Sequence, residues 1–311
     1  MTLTQLEYIV ALDTHRQFVE AAEQCFVTQP TLSMQVQKLE DALGVKIFDR
    51  TRHPIVPTPI GEKIIAQARV ILREAKHVEQ IILEQKNIMS GEIRIGIIPT
   101  LSPYLLPPLF KNMQERYPEV QLNVRETITE ELIQEIKNNR LDCGIVVTPL
   151  NDPLIREEVL FYEELFAYVS PRNELHDKKY VLPAEIDPKK LWLLEEGHCF
   201  RSQVLNLCEL RKQSDLQVRY ETGNIETLRR MVDKSDGITL LPELAVLELS
   251  KMQMKSVRTL KEPTPTREVS LVMHRDYFQT QLLKSLKTEV IKVIPRHMLK
   301  MNKRKVIDIT G

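Results

Sequence analysis

The stretch AAEQCFVTQPTLSMQVQKLEDALG, residues 21–44, decides the N-terminal fold. Thr28 is a good N-cap, and Gln29 to Leu43 reads as a helix that Gly44 can end in a left-handed turn. Leu32, Val36, Leu39 and Leu43 recur on one face of that helix and are expected to point into a small core. Just upstream, FVEAAEQ (18–24) reads as a shorter helix, and Cys25-Phe26-Val27 leaves room for only a tight turn. Two helices joined in this way form either a helix-turn-helix, whose second helix enters the major groove of DNA, or an ordinary helical hairpin with a polar face.

If Leu32 and Val36 point inward, Pro30, Met34 and Gln37 face outward at 100° per residue, flanked by Gln29, Thr31, Ser33 and Lys38. These side chains suit base edges and phosphates, and a methionine can pack on a thymine methyl. Arg50 and Arg52 follow VKIF (45–48) and are placed to act as a wing on phosphate or minor groove. Bulk charge gives no support to this reading. The chain is formally neutral, and residues 1–60 carry five Lys/Arg against seven Asp/Glu. A DNA-binding role therefore has to come from motif and placement.

Beyond this unit, residues 60–88 form one long helical pattern. Ile64, Ala68, Ile71, Ala75, Val78 and Ile82 step by 4, 3, 4, 3, 4, the period of a coiled-coil seam, which favours a homodimer over packing within one chain. From residue 92 onward, EIRIGIIP, VQLNVRE, CGIVVT, LFAYVS, LWLLEE, VRYET, GITLLP and EVSLVMH read as strands. Amphipathic helices such as PYLLPPLFKNMQERY and TEELIQEIKNN lie between them. Alternation of this kind indicates an α/β domain with a mostly parallel, doubly wound sheet. There is no dinucleotide or phosphate-loop glycine motif, so no cofactor is expected. No apolar run approaches the ~18 residues of a membrane span, and no signal peptide is evident, so a cytoplasmic protein is expected. The basic stretch from Arg296 through Lys305 reads as a solvated end, with 301–311 as a tail.

Four cysteines without a secretory leader point to a reducing compartment, where a disulfide would be transient or sensory. Cys143, between apolar strand residues, and Cys25 read as buried core thiols. Cys199 and Cys208 stand nine residues apart, with His198 directly before the first and Arg201 shortly after. The spacing is too wide for a redox CxxC, and no second pair exists to bind zinc, so no metal is expected. What remains is a reactive thiol with a resolving partner, or two inert thiols. Either His198 or Arg201 is a local cation that could lower the thiol pKa. QVLNLCELRK (203–212) reads as a helix.

Residues 3–61 resemble the winged helix-turn-helix of LysR-type transcriptional regulators. The match runs through AA-x-x-C-x-V-T-Q-P-T-L-S-x-Q-V-x-K-L-E-D-x-L-G-V-x-I-F-x-R-T and on to T-P-I-G. The order of that unit, a long helix and an α/β domain matches the family over nearly the whole chain. The resemblance implies a DNA-binding domain at 1–59, a dimerisation helix at 60–90 and an effector domain at 91–300. That effector domain is of periplasmic-binding-protein type, with subdomain I at about 91–162 and 268–300 and subdomain II at about 163–267. Within the family the effector domain is most similar to the OxyR-type, peroxide-sensing branch, through GIIPTLSPYLLP (96–107), LDCGIVV (141–147), GHCFR (197–201), Cys208, ETLRRMV and GITLLPELAV.

That resemblance implies that Cys199 is a peroxidatic thiol and Cys208 its resolving partner. It places Thr100, Thr129, His198 and Arg267 around the peroxide. From the residues alone, Thr100 and Thr129 could equally be helix caps, and Arg267 a surface ion pair. The expected partners are a double-stranded DNA operator, hydrogen peroxide as effector, RNA polymerase, and further copies of the chain, a dimer through 60–88 and a tetramer by resemblance. Two departures stand out: His53 occupies the place of a common second wing arginine, with Arg52 one position earlier, and Met34 replaces a small or polar residue. The expected function is a peroxide-responsive activator of antioxidant genes rather than an enzyme. The alternative is a LysR-type regulator whose cleft binds a small anionic metabolite.

Overall fold

The computed structural model of the protein describes residues 1–85, 89–208, 223–261, 263–277, 281–300 and 304–307. Two compact units meet in the sequence at Ile88 and Met89. The first holds α1 (Leu3–His15), α2 (Phe18–Gln24), α3 (Gln29–Leu43), the two-residue strands β1 (Phe48–Asp49) and β2 (Val56–Pro57), and α4 (Pro59–Gln85). The α2–turn–α3 boundaries fall where the sequence places them, and Gly44 ends α3 at φ 68°. Thr28 is the N-cap residue, but its hydroxyl meets that of Thr31 at 2.8 Å instead of a backbone amide.

Leu32, Val36 and Leu39 are fully buried with Leu6, Ile9, Leu12, Ile47 and Ile65. Leu43, expected in this core, is exposed; the chain turns away at Gly44 before a partner can cover it. The core instead takes Glu40, whose carboxylate accepts from the Ile47 and Phe48 amides at 2.9 and 3.2 Å. α4 contributes Ile65 and Ala68 to the same core, so the first part of the expected seam packs within its own unit. Val78 and Ile81, further along, are exposed.

The second unit is α/β. Its elements are β3 (Gly91–Ile97), α5 (Ser102–Arg116), β4 (Val120–Glu126), α6 (Thr129–Lys137), β5 (Cys143–Thr148), β6 (Ile155–Val169), β7 (Tyr180–Val181), α7 (Cys199–Leu207), α8 (Ile225–Lys234), β8 (Ile238–Pro242), α9 (Glu243–Leu247), β9 (Val257–Leu260), β10 (Thr264–His274), α10 (Gln281–Val293) and β11 (Arg304–Val306). The sheet runs β4-β3-β5-β10-β6-β9-β7, with β8 beside β6 and β11 beside β10. It is mixed rather than mostly parallel. β3 pairs with β4 and β5 in parallel, whereas β10 is antiparallel to β5 and β6, and β6 is antiparallel to β8 and β9. The cause is the long strands β6 and β10, which run in opposite directions through two separate hydrophobic cores.

The first core gathers β3, β5, α5, α6 and α10, with Phe161 and Val269; the second gathers β8, α7 and α8, with Leu165 and Tyr168. The passage between them therefore falls near 162–164 on β6 and 266–268 on β10. The parts of the unit packed round the first and second cores are called subdomains I and II.

Three further expectations are corrected. LWLLEE is no strand: only Leu191 bridges Ile238, and the run is apolar because Leu193 and Leu194 are buried in the second core. The helix expected over 203–212 starts at Cys199 and ends at Leu207, and residues 209–212, like VRYET, lie outside the described residues. The tail is not simply solvated: 304–306 forms β11, parallel to 264–266, and Ile307 is buried in the second core. Among the described residues, no helix is long and apolar enough to cross a membrane.

Candidate functional site

Cys199 is the first residue of α7, and its position follows from the turn before it. Gly197 adopts φ 93°, a left-handed conformation that a side chain would strain, and a Cβ there would lie 3.1 Å from Ile128. His198 then takes the extended N-cap position. The thiol packs against the first core although Phe200, next in sequence, belongs to the second, so Cys199 sits on the seam between subdomains.

Facing it is Thr129, the first residue of α6. That helix approaches the sheet closely because Gly96 and Gly144 leave room for Leu132, which a Cβ at either glycine would meet at 2.7 or 2.4 Å. Burial pushes the Cys199 thiol above its ordinary value. Arg267, the Thr129 hydroxyl, and the amides of Phe200 and of Cys199 itself pull it back, in that order. Helix N-terminal amides have no intrahelical acceptor and are free to face a thiolate. Apart from its contact with the thiol, the Thr129 hydroxyl is buried without a hydrogen-bond partner.

Arg267 lies on β10 and is completely buried, so the surface ion pair is excluded. It donates through Nε to Glu163 Oε2 at 2.7 Å, and through one terminal nitrogen to Thr100 Oγ1 at 2.9 Å. The other terminal nitrogen reaches the Thr100 carbonyl at 3.4 Å. Its guanidinium carbon stands 5.4 Å from the centre of the Phe200 ring. Thr100, in the turn after β3, is itself buried, and because its oxygen accepts from Arg267 its proton is free to be donated elsewhere.

The cation beside the thiol thus comes from a distant strand. Arg201 donates instead to the Leu194 carbonyl at 2.8 Å. The buried His198 ring turns away toward the Glu195 carboxylate at 3.5 Å and lines an open pocket with Glu126, Glu131, Glu195 and Glu196. Four carboxylates make that pocket unfavourable for an anion. Tyr104 of α5 donates to Glu226 of α8 at 2.7 Å, a link between the subdomains, and burial with that carboxylate holds its phenol protonated.

Cys208 is the C-cap of α7, buried in the second core, and burial pushes its thiol up to about 12. Cys143 is fully buried, and burial raises its thiol well above the ordinary value. Cys25 is only half-buried, not the core thiol expected, and burial and Glu7 raise it. Of the four thiols, Cys199 alone has hydrogen-bond donors opposing burial. Sequence reading missed Glu163, Phe200 and Glu40; buried carboxylates look like ordinary surface residues until their partners are known.

On the N-terminal unit, Gln29, Pro30, Ser33, Met34, Gln37 and Lys38 line one shallow depression along α3, together with Asp41. Thr31 is half-buried and bonded to Thr28. Arg50 is not free: it donates to Glu40 at 3.2 Å and lies 5.3 Å over the Phe18 ring. Arg52 is 72% exposed, with Asp49 at 3.4 Å.

A winged helix-turn-helix joined to a two-core α/β unit with a site on its seam is the build of a ligand- or redox-responsive transcriptional regulator. The chain belongs to the LysR family. Residues 3–62 match the bacterial regulatory helix-turn-helix protein, lysR family, and residues 86–293 match the LysR substrate binding domain. Related proteins include the DNA-binding transcriptional dual regulator OxyR of Escherichia coli K12, 36% identical over 272 residues that cover 88% of this chain and 89% of the relative. The HTH-type transcriptional regulator EstR of Acinetobacter baylyi is 30% identical over 88% of this chain and 91% of its own length. Among solved structures, a full-length OxyR variant from Pseudomonas aeruginosa superposes with a TM-score of 0.80 at 32% identity, covering 94% of this chain and 98% of that one.

Proposed function

We propose that this LysR-family regulator senses hydrogen peroxide through Cys199, in the cytoplasm, and activates antioxidant genes. The observation that carries this reading is the setting of Cys199, a thiol on the seam of two cores with Arg267, Thr129 and helix amides directed at its charged form. The deprotonated sulfur attacks one peroxide oxygen, the O–O bond breaks, and hydroxide leaves as water after taking a proton. Thr100, polarised by Arg267, and Thr129 are placed to hydrogen-bond the peroxide and assist that departure. The sulfenic acid then condenses with the Cys208 thiol, forming the disulfide and releasing a second water.

The consequence is conformational. α7 has to give way, and repacking at the seam is carried to DNA-binding units held as a dimer through α4, with tetramer formation and RNA polymerase contact following the family pattern. Gln29, Pro30, Ser33, Met34, Gln37 and Lys38 read the operator, with Arg52 on the backbone. The reading of a small anionic effector finds an unfavourable pocket, lined by Glu126, Glu131, Glu195 and Glu196.

The test is thiol counting on reduced protein before and after one equivalent of peroxide, with mass mapping. Loss of two thiols and a Cys199–Cys208 cross-link is expected; an unchanged count, or oxidation spread evenly over Cys25 and Cys143, would overturn the assignment.

A further inference from the structure

Glu163 takes no part in the chemistry above, yet it is the most completely enclosed carboxylate at the site. It stands on β6 directly opposite Arg267 in the strand register, at the passage between the two cores. Neither side chain has any exposure to solvent. One carboxylate oxygen takes the Arg267 Nε–H at 2.7 Å, and the other takes the Leu244 amide at 2.8 Å. Among the described residues it is the one counter-ion Arg267 has.

We propose that Glu163 is a positioning residue that sets the resting reactivity of Cys199, by fixing the Arg267 fork and offsetting its charge at the sulfur. This rests on the peroxide-sensing reading of the site. Two opposite charges in contact act on a third group nearby far more weakly than the nearer charge alone, and in a dry seam that difference is large. Arg267 unopposed would favour a permanent thiolate, reactive toward many oxidants. Paired with Glu163, it leaves a sulfur held closer to its protonated form and so less reactive at rest.

The other groups facing this pair are already committed. Glu243 of α9 accepts from the Glu164 amide at 3.2 Å and from His297 at 2.6 Å. Glu226 of α8 is held by Tyr104 of α5 and by Arg229 at 3.0 Å. Consistent with the geometry, burial raises the Glu163 carboxyl while Arg267 and the Leu244 amide hold it down.

The experiment uses the reduced full-length protein and its Glu163→Gln variant, nearly isosteric but uncharged. Iodoacetamide alkylation of the Cys199 peptide is followed by mass spectrometry from about pH 5 to 10, and folding is checked by thermal unfolding. The expected result is a lower apparent thiol pKa, with alkylation at pH 7 at least about threefold faster, or roughly half a pKa unit. The peroxide concentration for half-oxidation should fall by a similar factor. An unchanged or slower rate in folded Glu163→Gln would overturn the proposal, since a merely structural carboxylate would not speed the thiol. Should that variant not fold, Glu163→Asp, whose carboxylate retreats from Arg267, is expected to shift the rate in the same direction by less; no shift, or a slower rate, overturns the proposal equally. Wild-type Cys199 is exposed to peroxide in parallel. Failure there defeats the sensing function itself, whereas a reactive wild type with an unshifted variant defeats only the role of Glu163.

Discussion

Cys199 and Cys208 occupy the two ends of one helix and pack into different cores. Cys199 opens α7 against subdomain I, and Cys208 closes it inside subdomain II, its amide bonded to the Val204 carbonyl at 3.0 Å. Nine residues of helix span roughly 13 Å, whereas a disulfide needs Cα atoms within about 7 Å. Both sulfurs therefore cannot keep their places in an oxidised protein. The helix is short, and Cys208 offers only its own burial in exchange for staying.

Oxidation should accordingly melt α7. Amide hydrogen exchange over residues 203–208 is expected to be slow in the reduced protein and to speed up markedly once peroxide has been added. The same comparison on Cys208→Ser, which can reach the sulfenic acid but not the disulfide, should show little change. Equal exchange in reduced and oxidised wild type would mean that no such unwinding occurs.

Cys208 also makes a pH prediction. Its thiol is raised from an ordinary value of 9.0 to about 12 by burial, so the folded state holds the proton more tightly than the unfolded chain does. That contribution to stability is fully present below about pH 9 and is lost as pH rises through 12. Urea midpoints of reduced protein should hold up to about pH 9 and fall as the pH is raised from there toward 12, and the fall should be smaller in Cys208→Ala. In the same range Cys199 should be alkylated well before Cys208.

The limits of the sequence follow from how far each signal reaches. α2, α3, β4 and β5 were legible because their boundaries are written locally, in an N-cap, a stop glycine, an alternating run in β4 or a short continuous apolar run in β5. β6 and β10 were read only in part, since local pattern cannot say that one strand crosses two cores. Glu163 and Arg267 lie 104 residues apart, and nothing near either marks the other as its partner. The family motif supplied Arg267 but not the carboxylate that fixes it. Leu43 misled because it keeps the helical period one step beyond the core.

On the DNA-binding unit, the two wing arginines should behave differently. Glu40 ties Arg50, Lys46 and two amides of the wing together, so Arg50 is chiefly a structural strut, while Arg52 is exposed. Glu40→Ala leaves buried amides unpaired and should cost on the order of 1–3 kcal/mol by thermal unfolding. Arg52→Ala should leave stability alone and reduce the salt slope of operator binding by about 1. Ser33→Ala or Gln29→Ala should cost roughly 1–3 kcal/mol at the specific site and little on random DNA. A larger change of salt slope in Arg50→Ala than in Arg52→Ala would reverse the assignment.

The C-terminal strand ties the redox helix to the strand that carries Arg267. Ile307 donates its amide to the Thr266 carbonyl at 2.8 Å, one residue before Arg267, and its own carbonyl accepts from the Gln203 side chain at 3.4 Å. Gln203 is completely buried in the middle of α7, with its amide oxygen already unpartnered, so losing the Ile307 carbonyl would leave its whole amide unpaired. Ile307→Asp places a charge where none can be buried and should expel the strand. The expected cost is on the order of 2–5 kcal/mol, from lost packing and the stranded Gln203 amide. Because the disulfide requires α7 to open, this variant should close the Cys199–Cys208 bond faster once the sulfenic acid exists. Its first oxidation step should be unchanged, since Arg267, Thr100 and Thr129 are untouched. Trapping the sulfenic acid with dimedone in competition with disulfide formation separates the two steps. A variant that unfolds earlier yet partitions between dimedone and disulfide as the wild type does would show that β11 stabilises the fold without restraining the switch.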